Sequence, residues 1–287
     1  MNQTEVKGLI FDCDGTILNS MPAWHSMEKE LARRAGIPLT PALQEELNAN
    51  TLNQTVSFFH EVGGLGSSYE DLYKETLSIL TRFYVSSTLK PGVASFLREA
   101  AKRDIPMVVA SSSPSSIIEI GLKSTGLFQF FKAIVSASDM NTSKRNPEVI
   151  EKAYLLLGIE EESPSECCEK EKSCCENKGL YRGKEGLFSI KHESEIKHES
   201  EIKHEIKPVS NSKRKGVWGV EDSVYSIKVF SNEGFNTIGI YDSDIAGSFS
   251  ELKTNATLAI KSFDEINPAF FEGGLREGQE PIIENLW

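Results

Sequence analysis

Two acids, Asp12 and Asp14, stand one residue apart at the end of the apolar run VKGLIF. Like charges that close repel one another unless a cation, or a proton in play, compensates them. Three further polar groupings follow apolar runs later in the chain: Ser111-Ser112-Ser113 after IPMVVA, Lys144 within NTSKRNPE, and Glu221-Asp222 after GVWGV. Together these residue types suit phosphoryl transfer. Carboxylates hold Mg²⁺ along with waters and phosphate oxygens. A lysine ammonium neutralises charge developing on the transferring group. One carboxylate can serve as nucleophile, and a second, two residues on, can carry the proton. Gly15 lets the chain turn closely under a phosphate.

These groups converge only if strand ends bring them together. The runs 6–11, 105–110, 132–135, 216–220, 235–240 and 256–260 read as strands, most of them separated by amphipathic helical stretches. That alternation predicts an α/β fold, a doubly wound parallel sheet with helices on both faces. In such sheets ligands bind at the carboxyl ends of the strands. Ser113-Pro114, Asn146-Pro147 and Ser223 mark helix starts, and Gly126, Gly158 and Gly234 mark helix ends. Residues 20–88 contain no convincing strand and read as four helices near 22–35, 41–49, 53–61 and 69–85. They form an inserted helical cap domain, set against a core of residues 1–19 and 89–287.

The chain has 287 residues, a net charge of −11 and 39% hydrophobic residues, enough for one large domain or two smaller ones. The acidic balance argues against a nucleic-acid partner, which would call for a basic face. No apolar run is long enough for a membrane span, and the N-terminal stretch is too polar for a signal peptide. A cytoplasmic monomer acting on a small molecule is expected. The five cysteines do not make a disulfide framework. From about residue 160 to 215 the chain turns polar and repetitive, with IKHESE recurring every six residues. This insertion is expected to be solvated and poorly ordered. Cys167, Cys168, Cys174 and Cys175 with His192, His198 and His204 are soft ligands, but their spacing is not a common zinc pattern.

DCDGT (12–16), Ser111 after VVA, Ser143-Lys144 and Glu221-Asp222 resemble, in order, the four motifs of the haloacid dehalogenase (HAD) superfamily. The helical insert resembles the cap of the subfamily that contains β-phosphoglucomutase and phosphoglycolate phosphatase. The resemblance covers roughly 6–158 and 216–265 and implies a Rossmann-like core. It also implies Asp12 as nucleophile, Asp14 as general acid/base, and Ser111 and Lys144 as holders of the phosphoryl group. Mg²⁺ would be bound by Asp12, the main-chain carbonyl of Asp14 and Asp222, with Glu221 supporting a bound water. Gly15, Thr16, Ser112 and Arg145 are expected to contact substrate.

The sequence departs from the family pattern at Cys13, where a bulky apolar residue is usual and a small buried hydrophobe is expected here. Asn19 stands where an Asp is frequent, and Arg145 where a Pro is common. The stretch 48–59 has no basic residue to grip the distal phosphate of a bisphosphate. A phosphatase of a small phosphorylated metabolite is therefore expected ahead of a phosphomutase. A non-catalytic binding protein is the rival from another class, and Asp14 speaks against a dehalogenase. Trp24 and His25 either pack the insert or line the pocket. Asn48, Asn50, Thr51, Asn53 and Gln54 either read substrate hydroxyls or form a plain loop. His60 is expected to be structural or exposed.

Overall fold

The computed structural model describes residues 5–159, 214, 216–243 and 249–273. Both the repetitive insertion, apart from Arg214, and the tail from residue 274 onward lie outside them. Among the described residues six strands form one parallel sheet in the order β3-β2-β1-β4-β5-β6: β1 (Gly8–Phe11), β2 (Met107–Ser111), β3 (Ile134–Ser136), β4 (Val217–Glu221), β5 (Asn236–Ile240) and β6 (Leu258–Ile260). This is the doubly wound order, whose direction reverses between β1 and β4. The crevice at a reversal opens where Asp12 and Asp14 leave β1.

Side-chain alternation divides the core in two. Leu9, Phe11, Met107 and Val109 face one side, while Ile10, Val108 and Ala110 face the other. Helices α5 (Val93–Ala101) and α6 (Ser115–Ser124) cover the first side through Val93, Phe96, Leu97, Ile117, Ile118 and Leu122. Helices α7 (Glu148–Leu157) and α8 (Val224–Asn232) cover the second through Val149, Ile150, Ala153, Leu157 and Phe230. Every residue of β1, β2 and β4 is buried, which is why these strands read as unbroken apolar runs.

Between β1 and α5 stand α1 (Met21–Ala35), α2 (Pro41–Asn48), α3 (Leu52–Glu61) and α4 (Tyr69–Val85), within a residue of the expected helices at each end. Thr40 and Ser68 cap α2 and α4, and Thr51 and Gln54 form a reciprocal capping box on α3. The segment leaves and returns through neighbouring extended residues: Leu18 bridges Leu89, and Asn19 N–H donates to Thr88 O at 2.9 Å. Its apolar residues, among them Trp24, Leu52, Phe59 and Tyr84, belong to the same cluster as Leu9 and Phe11.

The expected side-chain caps on α6, α7 and α8 are not made. The helix after β2 begins at Ser115 with Pro114 in the cap position, and no side chain caps it. Ser113 instead turns its hydroxyl to Asp14, because a charged acceptor makes the stronger hydrogen bond.

Candidate active site

Asp12 continues β1, its N–H bonded to Val220 O at 2.8 Å, so its side chain meets the ends of β2 and β4. Lys144 reaches in from the loop after β3 and is 1% exposed. Its Nζ lies 2.7 Å from Asp12 Oδ1 and also donates to Glu221 Oε1. Burial acts against the ammonium, but the charges of Asp12 and Glu221 outweigh it and hold the lysine above its ordinary range. Glu221 uses both its oxygens. Oε2 accepts from the Asp222 and Ser223 amides, each at 3.1 Å, and from Ser223 Oγ at 2.9 Å. Burial opposes the charge of Glu221, yet Lys144 and these donors keep its carboxyl below the usual range. Asp12 has fewer donors. Burial pushes it up to about 7, with Lys144 pulling down and Glu221 and Asp14 pushing up.

Asp222 has one oxygen without compensation. Its Oδ2 is buried with no hydrogen-bond partner. Burial, then the charges of Glu221 and Asp12, push its carboxyl well above the usual range. Oxygens of Asp12, Glu221 and Asp222 lie within 4.8 Å of one another. An orphaned carboxylate oxygen in an all-oxygen donor set fits a hard divalent cation such as Mg²⁺. Gly15, with φ +80°, passes so close beneath Asp222 that a Cβ there would overlap Oδ2. The glycine thus makes room for Asp222.

The side chain of Asp14 stands apart from this trio. Its Oδ1 accepts from Ser20 Oγ at 2.5 Å and from the Tyr84 hydroxyl. Its Oδ2 accepts from Ser113 Oγ at 2.6 Å and Ser111 Oγ at 3.4 Å. Tyr84, at the end of α4, in turn accepts from Trp24 Nε1 at 2.9 Å. Two residues of the inserted helices therefore support one acid of the motif.

A cavity of about 460 Å³ opens over these groups. Asp12, Asp14, Ser111, Ser112, Lys144, Glu221 and Asp222 all line it. Gly15, Thr16 and Arg145 do not. Thr16 is fully buried beneath the motif, and Arg145 is exposed, its guanidinium 5.7 Å from the Tyr225 ring centre. Cys13 is a buried core residue, as expected.

Trp24, Asn48 and Asn50 line the cavity, whereas His25 lies against Asn48 Oδ1 at 3.0 Å. Asn53 donates to Ser138 O at 3.0 Å and Asn141 Oδ1 at 3.1 Å, tying α3 to the loop after β3. His60 Nδ1 lies 2.7 Å from Leu65 O, a structural contact. Sequence reasoning missed Tyr84, Ser20 and Glu28. Tyr84 carries no local signal, since its contact with Asp14 spans 70 residues. Glu28 had one: it is an acid on the same face of α1 as Met21, Trp24 and Leu31, all of them buried.

A doubly wound sheet with acids and a lysine gathered at its carboxyl edge defines the core of a Rossmann-like enzyme. A family model described as haloacid dehalogenase-like hydrolase matches residues 9–164, and the chain belongs to that family. A phosphoglycolate phosphatase from Rhodobacter capsulatus is 26% identical over 153 residues, 52% of this chain and 70% of that protein. A β-phosphoglucomutase from Bacillus subtilis is 24% identical over 170 residues, 56% of this chain and 73% of that protein. The crystal structure of β-phosphoglucomutase from Clostridium difficile shares the fold. Its TM-score is 0.62 at 16% identity, over 93% of this chain and 96% of that one. No helix among the described residues is long and apolar enough to cross a membrane.

Proposed function

We propose that this protein is a Mg²⁺-dependent phosphoric monoester hydrolase. It acts on a small phosphorylated metabolite, such as a sugar phosphate or a phosphoglycolate-like monoester, through an aspartyl-phosphate on Asp12. The observation that carries this reading is Lys144 Nζ at 2.7 Å from Asp12 Oδ1, in a cavity shared with the orphaned oxygen of Asp222. Asp12 attacks phosphorus and the bond to the ester oxygen breaks. Asp14 gives that oxygen its proton and then takes one from the water that releases phosphate from Asp12. To do so its carboxylate must turn from the hydroxyls of Ser20 and Tyr84 toward the cavity. Lys144 and Ser111 hold the phosphoryl oxygens. Asp12 and Asp222 would hold Mg²⁺, with the Asp14 main-chain carbonyl as a further ligand. Glu221, already engaged on both oxygens, fixes Lys144. When bound, the cation offsets the carboxylate charges and orients the phosphoryl group for attack.

In this reading residues 20–88 act as a cap that closes over a core of 1–19 and 89–287, and the protein works as a cytoplasmic monomer. A phosphomutase would call for a cation from the cap to hold a second phosphate. The cavity residues from that segment, Met21, Trp24, Glu28, Glu45, Leu47, Asn48 and Asn50, include none, which supports hydrolysis. The test is phosphate release from a generic aryl phosphate with and without Mg²⁺, for the wild type and Asp12→Asn. Mg²⁺-dependent turnover that falls to background in the variant is the expected result. Equal activity of the two proteins would remove Asp12 as nucleophile and with it the reading.

A further inference from the structure

Glu28 is 2% exposed, on the face of α1 that also presents Met21 and Trp24 to the cavity. A buried carboxylate is costly unless it is paired. Among the described residues Glu28 has no cationic partner. Its one hydrogen bond comes from Gln44 Nε2, at 2.6 Å to Oε2, and Oε1 accepts none. Burial pushes the carboxyl up to about 7, with the Gln44 bond working the other way. A leucine or methionine would pack this face of α1 at no such cost. Local rules broken without structural return mark functional positions.

The surroundings say what the acid is for. From the inserted segment the cavity receives the Trp24 indole, the amides of Asn48 and Asn50, and a second acid, Glu45. The one basic residue besides Lys144 among the described residues lining it is Lys228, an exposed side chain on α8. A leaving group bearing a carboxylate or a second phosphate would lie beside Glu28 with no cation from the cap to neutralise it. A hydroxyl, by contrast, can donate to Oε1, while the Asn50 amide and the Asn48 NH₂ group, whose Oδ1 already accepts from Gln44 Nε2 at 2.9 Å, serve its neighbours and the indole covers the carbon skeleton.

We propose that Glu28 is a specificity-determining residue that sorts phosphomonoesters by the charge of the leaving group, admitting uncharged hydroxyl-bearing groups and rejecting those with a second anion. The proposal rests on the phosphatase reading and narrows it away from phosphoglycolate-like substrates.

The test compares kcat/KM for a neutral set (glycerol 3-phosphate and hexose 6-phosphates) with that for phosphoglycolate, in the wild type, Glu28→Gln and Glu28→Lys. The wild type should favour the best neutral ester by about tenfold or more, the scale on which a mismatched polar group is rejected. Glu28→Gln should narrow that ratio by about tenfold, and Glu28→Lys should reverse it. A wild-type preference for phosphoglycolate, or a ratio the variants leave unchanged, overturns the proposal while leaving the hydrolase reading intact. Activity that survives Asp12→Asn defeats the hydrolase reading instead. Calorimetric binding of the same esters to Asp12→Asn, with Mg²⁺ present, decides the specificity claim without turnover. Tighter binding of a neutral ester supports it, and equal, reversed or undetectable binding overturns it.

Discussion

Gly15 and Asp222 occupy each other's space: the carboxylate oxygen of Asp222 fills the volume that a side chain at position 15 would need. The motif glycine and the acid at the end of β4 are thus one structural unit, although they lie far apart in sequence. Asp242 Oδ2, which pairs with Lys90 at 3.0 Å, borders the same volume at 3.2 Å from that Cβ position.

Gly15→Ala should accordingly displace Asp222 as well as strain a backbone at φ +80°. A left-handed alanine costs about 1–2 kcal/mol, and the overlap adds to it. Mg²⁺ affinity should fall by at least about tenfold, since a ligand is moved off its geometry. A Mg²⁺ titration followed by thermal unfolding measures both effects. Unchanged affinity would detach Asp222 from the cation.

Lys144→Met would leave Asp12 and Glu221 facing each other without their shared cation. Removing one partner of a buried ion pair costs about 3–5 kcal/mol. The cost should be larger at pH 8 than at pH 5, because Asp12, already pushed up to about 7, takes a proton as pH falls and relieves the repulsion. Urea unfolding at the two pH values, without added metal, checks this. Activity should fall by at least about a hundredfold, the scale of losing one electrostatic contact to the transition state.

Glu28 makes a pH prediction of its own. Its folded pKa, about 7, lies above the 4.5 ordinary for a glutamate in an unfolded chain. The folded state therefore binds more protons between those values, and stability falls as pH rises from 4.5 through 7. Glu28→Gln cannot titrate, so the variant should gain on the wild type across that window, by about 1–3 kcal/mol in total. Paired unfolding curves from pH 4 to 8 measure the gain. A constant difference would mean that Glu28 does not titrate in this range.

Arg214 stands where the chain re-enters the sheet before β4. It pairs with Glu151 on α7, donates to Glu233 O at 2.7 Å and Glu233 Oε2 at 3.0 Å, and lies 4.8 Å from the Phe235 ring centre. Arg214→Met would leave Glu151 buried and unpaired, again about 3–5 kcal/mol. Because Arg214 lies outside the cavity, kcat of the folded fraction should stay within about twofold, in line with substitutions away from a site. Denaturant unfolding with activity measured at low temperature separates the two effects.

Much of this molecule could be read from the chain because its signals are local. Unbroken apolar runs mark strands buried on both faces, and prolines and glycines mark helix ends, so the six strands and the four inserted helices fall close to their expected places. The acids, the serines and the lysine could be assigned to one crevice because each follows a strand. Parallel strands present their carboxyl ends on the same edge of a sheet.

Partner choice among those residues was not readable, because a hydrogen bond depends on distances that the fold sets between remote segments. Sequence supplied three serines in a row. Packing turned Ser113 to Asp14 and left the next helix uncapped. The cluster of polar residues between α2 and α3 looked uniform in sequence. In the fold it divides into a capping box at Thr51 and Gln54, a tie to the loop after β3 at Asn53, and two cavity residues, Asn48 and Asn50.

By itself, then, the order of residue types determined the sheet, the insert and the inventory of chemical groups, since periodicity and turn chemistry act over a few neighbours. The tertiary arrangement settled which groups touch. It gave Lys144 two carboxylates, left Asp222 Oδ2 without a donor, brought Tyr84 to Asp14 and buried Glu28 beside the cavity. Those pairings join segments tens of residues apart, and their energies come from burial and charge, which exist only once the segments have packed.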